Sequence, residues 1–492
     1  MICMNLAAAL LILALPVLAD PVRLSTGTVE GTTGKNAEIR VFKGIPYALP
    51  PAGAMRWKAP QDPASWEGTR EARQFANDCM QLPYPQTSLY YQPPKLMSED
   101  CLYLNVWTAA KTANEKRPVM VWIHGGAYTR GSGATPTYDG ETFASKGIVL
   151  VTINYRLGVF GFLSHPELTK ESDVKSSGNY GLLDMVKALE WVKKNIAAFG
   201  GDPGKVTIFG ESAGSSAVNF LMASPLAHGL FHRAIGESGA NFGRTATLEA
   251  NEKEGLKVGE SLADLRAKPA AELIKAPGNH RPNIDKWFLQ DEVTKVFAKG
   301  KHNDVPLLAG YNADEGTTLA PWTGNAQYFT GMIRQRYGAY ADELLQVYPA
   351  GSDEEAAKSY YASFRDQGMG WQMRTWARAM KSPTYLYYFT RVPPGLQKYG
   401  AFHAAEIQYA FGNLNPQRQW EDADHALANA MSNYWVNFAT TGDPNRKGLT
   451  AWPKYDARKD ESMVFGDQVE VKPGINKKAL DLFDRMAITA IR

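Results

Sequence analysis

The sequence predicts an α/β fold: a mostly parallel sheet wound on both faces by helices. Three observations carry that expectation. Short apolar runs along the chain are continuous rather than alternating, amphipathic helical stripes separate them, and 492 residues, 44% of them hydrophobic, run without a linker that would divide the core. Continuous runs mark strands covered on both faces, and their alternation with helices is the pattern of a parallel sheet.

The strand candidates, in order, are residues 118–123 (PVMVWI), 148–154 (IVLVTIN), 205–209 (KVTIF), 305–310 (VPLLAG) and 385–389 (YLYYF). Between them Leu182, Met185, Val186, Leu189, Val192 and Ile196 fall on one helical face. A second helix is expected over 423–440, carrying Leu427, Met431, Tyr434, Trp435 and Phe438 and stopping at Gly442-Asp443-Pro444. Residues 322–381 are helix-like, rich in Tyr, Trp, Met and Arg, and lack strong strands. They are expected to form a helical cap inserted over the sheet.

Composition narrows function by exclusion. The 53 basic and 50 acidic residues leave a net charge of +3, and basic residues cluster no further than pairs such as Lys116-Arg117 and Lys193-Lys194, so nothing points to nucleic acid. Residues 6–18 are apolar and end at Val17-Leu18-Ala19 before Asp20, which satisfies the small-residue rule for signal-peptide cleavage after Ala19. The run is shorter than the about 20 residues that span a bilayer, so a secreted or periplasmic protein of residues 20–492 without a stable membrane anchor is expected. Cleavage would discard Cys3 and leave Cys79 and Cys101, which allow one disulfide or two buried thiols. His228 and His232 stand four apart but lack the glutamate of H-E-x-x-H and a third ligand, so neither metal nor cofactor is expected.

The chemistry is concentrated in Gly210-Glu211-Ser212-Ala213-Gly214, which occurs once as G-x-S-x-G. The strand 205–209 leads in and the Ala- and Ser-rich stretch 213–222 reads as a helix leading out, the setting of a nucleophile elbow. A serine hydroxyl is a weak nucleophile and needs a base, and the base needs a group to fix its tautomer. On such a sheet the acid and then the histidine follow the serine in chain order, each beyond a later strand. His403 follows the strand 385–389 through the glycine-containing loop 395–402, whereas His425 begins a helix among Asp422 and Asp424 and reads as surface. Beyond 305–310 lies Asn312-Ala313-Asp314-Glu315-Gly316, and chemistry alone does not separate Asp314 from Glu315. Trp122-Ile123-His124-Gly125-Gly126-Ala127-Tyr128 runs out of the strand 118–123 and offers backbone N–H groups for an oxyanion hole. Glu211 and His124 adjoin these elements and are candidates to tune them.

With these motifs the sequence resembles the type B carboxylesterases, the family of bacterial p-nitrobenzyl esterases and cholinesterases, over nearly all of residues 22–470. The matching segments are residues 42–48 (FKGIPYA), 99–105 (EDCLYLN), the HGGA turn, 154–158 (NYRLG), 178–214 and 439–445. The resemblance implies the α/β-hydrolase fold and hydrolysis of a small-molecule carboxylic ester by water through an acyl-enzyme. It selects Glu315 as the acid beside Ser212 and His403, and implies oxyanion donors at Gly126, Ala127 and Ala213. It also implies a Cys79–Cys101 bridge, a structural ion pair of Arg56 with Glu99, and a supporting position at Ser238. Cholinesterases carry a tryptophan in the cysteine loop. Here that loop holds Tyr84, Tyr90 and Tyr91 instead, so choline esters are not expected. These tyrosines and Trp371 either line an aromatic pocket or simply pack. A monomer is expected. Alternatives are an amidase or peptidase, a hydrolase specialised for bulky phenolic or mycotoxin-like esters, or a non-catalytic binding relative, which would have lost the serine or histidine.

Overall fold

The structure, a computed structural model, describes residues 18–491, so most of the expected signal segment lies outside the described residues. An 11-stranded sheet forms the centre. In chain order its strands are β1 (Thr32–Thr33), β2 (Arg40–Pro46), β3 (Tyr103–Thr108), β4 (Arg117–Ile123), β5 (Val149–Ile153), β6 (Gly201–Glu211), β7 (Arg233–Glu237), β8 (Leu307–Asn312), β9 (Thr384–Phe389), β10 (Glu461–Phe465) and β11 (Val469–Pro473). Across the sheet they run β11-β10-β9-β8-β7-β6-β4-β5-β3-β2-β1. Pairing is parallel from β10 through β5 and antiparallel at both margins.

The apolar runs become strands because both faces are covered. In β4, Val119, Val121 and Ile123 enter one core while Met120 and Trp122 enter the other, all with no measurable exposure. The first core is closed by α1 (Tyr180–Asn195), through Leu182, Met185, Leu189 and Val192, and by α2 (Ala213–Ala223). The second is closed by the long helix α7 (Asp422–Thr441), through Leu427, Met431, Trp435 and Phe438. Each such fully buried side chain contributes about 1.5–3 kcal/mol of transfer free energy. Helix α7 ends at Gly442, whose φ of 83° is the left-handed conformation that terminates a helix.

Between β8 and β9 the chain is helical: α3 (Ala326–Tyr337), α4 (Ala341–Val347), α5 (Asp353–Arg365) and α6 (Trp371–Ala379). Phe329, Ile333 and Leu344 pack there with Leu482 and Phe483 of the C-terminal helix α8 (Lys477–Ile491), forming a third core. A π-helical turn, Asp366–Gly370, joins α5 to α6. Beside it Arg365 donates to the Ala313 carbonyl at 3.2 Å, tying this helical segment to the loop after β8. Among the described residues no helix is long and apolar enough to cross a membrane.

Candidate active site

The carboxyl ends of β6, β7, β8 and β9 lie side by side, and the chain beyond each contributes one group to a buried polar cluster. Strand β6 delivers Ser212 at φ 57° and ψ −122°, a left-handed backbone that an L-residue adopts only under local constraint. The constraint is visible: a Cβ at Gly214 would lie 1.9 Å from the Ile123 carbonyl oxygen, so only glycine lets α2 start so close to β4. Gly125 faces the serine in the same way, since a Cβ there would sit 3.1 Å from Ser212 Cβ.

His403 is buried, and its Nδ1 lies 2.5 Å from Glu315 Oε2. Glu315 is fully buried, and its other oxygen accepts from Ser238 Oγ at 2.6 Å and from the Asn312 amide at 2.8 Å. Three neighbours therefore fix one carboxylate. Asp314 turns away and accepts from the Ala401 amide at 2.8 Å. His425 is exposed, in the first turn of α7. The structure thus brings His403, Glu315 and Ser238 together. It leaves Ser212 Oγ without a hydrogen bond, and instead sets His403 Nε2 3.0 Å from Glu211 Oε1.

The turn after β4 is tight: Thr129 and Arg130 both donate to the Gly126 carbonyl at 3.0 Å. Among the described residues no carbonyl or side chain accepts from the amides of Gly126, Ala127 or Ala213, so these three N–H groups are unengaged. Ala127 itself is exposed, with φ 55°. Behind the turn, His124 is buried, sets Nδ1 2.8 Å from the Gly125 carbonyl and stacks on Tyr155; burial lowers its pKa to about 4, so it is neutral packing.

Two further buried carboxylates that the sequence did not single out adjoin this cluster. Glu237, at the end of β7, accepts from Trp435 Nε1 at 2.8 Å, and Glu406 accepts from Asn312 Nδ2 at 2.5 Å. Among the described residues Glu237 and Glu406 each keep one buried oxygen without a partner, and Glu211 Oε1 meets His403 Nε2 at 3.0 Å without hydrogen-bond geometry. Burial pushes Glu237 up to about 8, against the hydrogen bond from Trp435, and Glu211 up to about 7, against the attraction of His403. Glu406 is also raised, first by burial and then by Glu211 and Glu237. Burial would lower His403, but Glu211 and Glu315 outweigh it and push it up to about 9. A usable signal for Glu237 was present: Gly236-Glu237-Ser238-Gly239 nearly repeats the elbow sequence.

The remaining expectations fall at or beyond the rim. Cys79 and Cys101 are joined by a disulfide closing a 22-residue separation. Arg56 and Glu99 form a bidentate pair at 2.5 and 2.7 Å. Tyr90 donates to the His403 carbonyl at 2.9 Å, binding the cysteine loop to the histidine, and its ring lies 5.6 Å from that of Tyr84. Trp371 is engaged elsewhere, donating to Asp484 at 2.9 Å. His228 and His232 are also engaged, with Asn303 and with the Val206 amide.

Comparison with known proteins gives a consistent result. The family model described as the carboxylesterase family matches residues 19–483. A fumonisin B1 esterase of Sphingopyxis macrogoltabida is 39% identical over 478 residues, covering 92% of this chain and 87% of that protein. The para-nitrobenzyl esterase of Bacillus subtilis is 35% identical over 476 residues, with 91% and 94% covered. A solved structure of PNB esterase superposes with a TM-score of 0.83 at 33% identity, over 94% of this chain and 99% of the other.

Proposed function

The chain belongs to the carboxylesterase family and hydrolyses carboxylic esters, and from that premise we propose that it does so through Ser212, His403 and Glu315. The observation that carries the assignment is the short His403–Glu315 contact, 2.5 Å, at the sheet edge where Ser212 is strained and free of hydrogen bonds. His403 Nε2 leaves Glu211, takes the Ser212 proton as Oγ bonds to the ester carbonyl carbon, and then gives that proton to the departing alcohol oxygen. The amides of Gly126, Ala127 and Ala213 hold the oxyanion, each contributing about 2.7–4 kcal/mol to the transition state. Water, deprotonated by the same imidazole, then attacks the acyl-enzyme and releases the acid and Ser212. Glu315 orients His403 throughout.

The helical segment 322–381 is proposed as a cap over this site, and the protein as an exported one. The Cys79–Cys101 disulfide supports export, because such bonds persist in oxidising compartments. A second reading, specialisation on bulky natural esters, is favoured by the relative named a fumonisin B1 esterase. The test is a p-nitrophenyl ester series from acetate to decanoate, run with wild type and Ser212→Ala. We expect the variant to lose about 10⁶-fold in kcat at every chain length. Turnover near wild type in Ser212→Ala would remove the nucleophile assignment.

A further inference from the structure

Two guanidinium groups flank the oxyanion turn, and the proposed hydrolysis makes no use of either. Arg281, half-buried, donates from Nη1 to the carbonyl of Ala127 and from Nε to Asn279 at 3.0 Å. Its Nη2 is left without a partner. The side chain of Arg130, also half-buried, donates from Nε to the Leu82 carbonyl at 3.0 Å and lies 4.9 Å over the ring of Tyr84. Both of its terminal nitrogens are free. Neither residue has a carboxylate within 4 Å among the described residues, whereas Arg56 and Arg156 are paired bidentately with Glu99 and Asp184.

Position gives these cations a direction. Arg281 touches the carbonyl of the exposed Ala127, whose own amide is one of the three free donors. Arg130 belongs to a continuous wall: its cation covers Tyr84, Tyr84 packs on Tyr90, and Tyr90 is bonded to His403. The turn is thus touched by one unneutralised guanidinium, at Ala127, and the aromatic wall that runs to His403 is covered by the other, each with donors to spare. Guanidinium is the side chain whose planar donor geometry fits a carboxylate, and an anion close to Glu211 would otherwise be repelled.

We infer that the site takes anionic esters, those carrying a free carboxylate a few bonds from the scissile carbonyl, and that Arg281 and Arg130 grip that carboxylate. The inference rests on Ser212-dependent ester hydrolysis and names its substrate class. A monoester of a dicarboxylic acid is the simplest such molecule: hydrolysis leaves one carboxylate in the guanidinium grip and creates the second at the oxyanion turn.

The test compares kcat/KM for mono-p-nitrophenyl glutarate with that for p-nitrophenyl valerate, an uncharged ester of equal acyl length, in wild type, Arg281→Gln, Arg130→Gln, the double variant and Arg281→Lys. The ratio of the two esters is the readout, so a general slowing from disturbance of the Ala127 carbonyl cancels. Wild type should prefer the anionic ester, each Gln variant should lower the ratio about tenfold, the double variant more, and Arg281→Lys should restore part of it. Added salt should narrow the wild-type preference. Ser212→Ala separates the two levels: loss of both activities there upholds the underlying reading, and an unchanged ratio in the double variant then overturns the carboxylate grip alone. Turnover surviving in Ser212→Ala overturns both.

Discussion

The ends of β6 and β7 carry near-copies of one motif, Gly210-Glu211-Ser212-Ala213 and Gly236-Glu237-Ser238-Gly239, in register with Glu211 opposite Glu237. Both serines sit at φ 57°, and each serine amide donates at 2.8 Å to the next strand, Ser212 to Glu237 and Ser238 to Gly310. Both glutamates are buried. What differs is the neighbour. Beyond β7 stands β8 with Glu315, which takes the Ser238 hydroxyl, while Ser212 faces the open glycine turn after β4 and keeps its hydroxyl free. The same local geometry therefore yields a support on one strand and a candidate nucleophile on the other, and the surroundings decide which.

The comparison can be broken at Glu315, which makes the two serines different. Glu315→Gln should cost about 10⁴-fold in kcat, because an amide cannot hold the imidazole in the right tautomer, while Asp314→Asn should change turnover only a few-fold. Equal, mild losses in the two variants would sink the assignment. Ser238→Ala removes one of the donors to Glu315 and should lower kcat about tenfold with KM unchanged, far less than Ser212→Ala.

The glutamates offer the subtler contrast. Glu211 and Glu315 both favour imidazolium, so Glu211→Gln should lower the His403 pKa from about 9 and shift the acid limb of kcat/KM down by about one pH unit. Glu237→Gln should act on stability instead. The folded-state pKa of Glu237, about 8, lies above its ordinary 4.5, so its stabilisation is full below pH 4.5 and is lost as pH rises through about 8. The wild-type minus variant difference in Tm should therefore fall across that window, and a flat difference would contradict it.

Much of this architecture was legible in the sequence where the cause is local. The run 118–123 lies within Arg117–Ile123, and 385–389 within Thr384–Phe389, because strands buried on both faces must be apolar throughout. The run 205–209 understated β6, whose first residues Gly201-Asp202-Pro203-Gly204 read as a turn and join the strand across a register shift against β4. The strands at the sheet margins, β2, β10 and β11, mix polar and apolar residues and produced no continuous run. In the site, the Ser212 elbow is a five-residue property and can be read directly. Glu237 is readable from its near-copy of the elbow sequence, but Glu406 reaches the cluster through Asn312, 94 positions away, and no local pattern announces it.

The Ile123 carbonyl has a broader consequence. A Cβ at Gly210 would lie 2.5 Å from it and one at Gly214 1.9 Å, so both arms of the elbow rest on the residue from which the glycine turn departs. Ile123 acts as a datum for the whole assembly: drift in β4 carries hydroxyl and amides together, and their mutual alignment survives it. The cysteine loop and the helical segment after β8 do not rest on this carbonyl, so changes there leave the alignment of the elbow with the turn untouched.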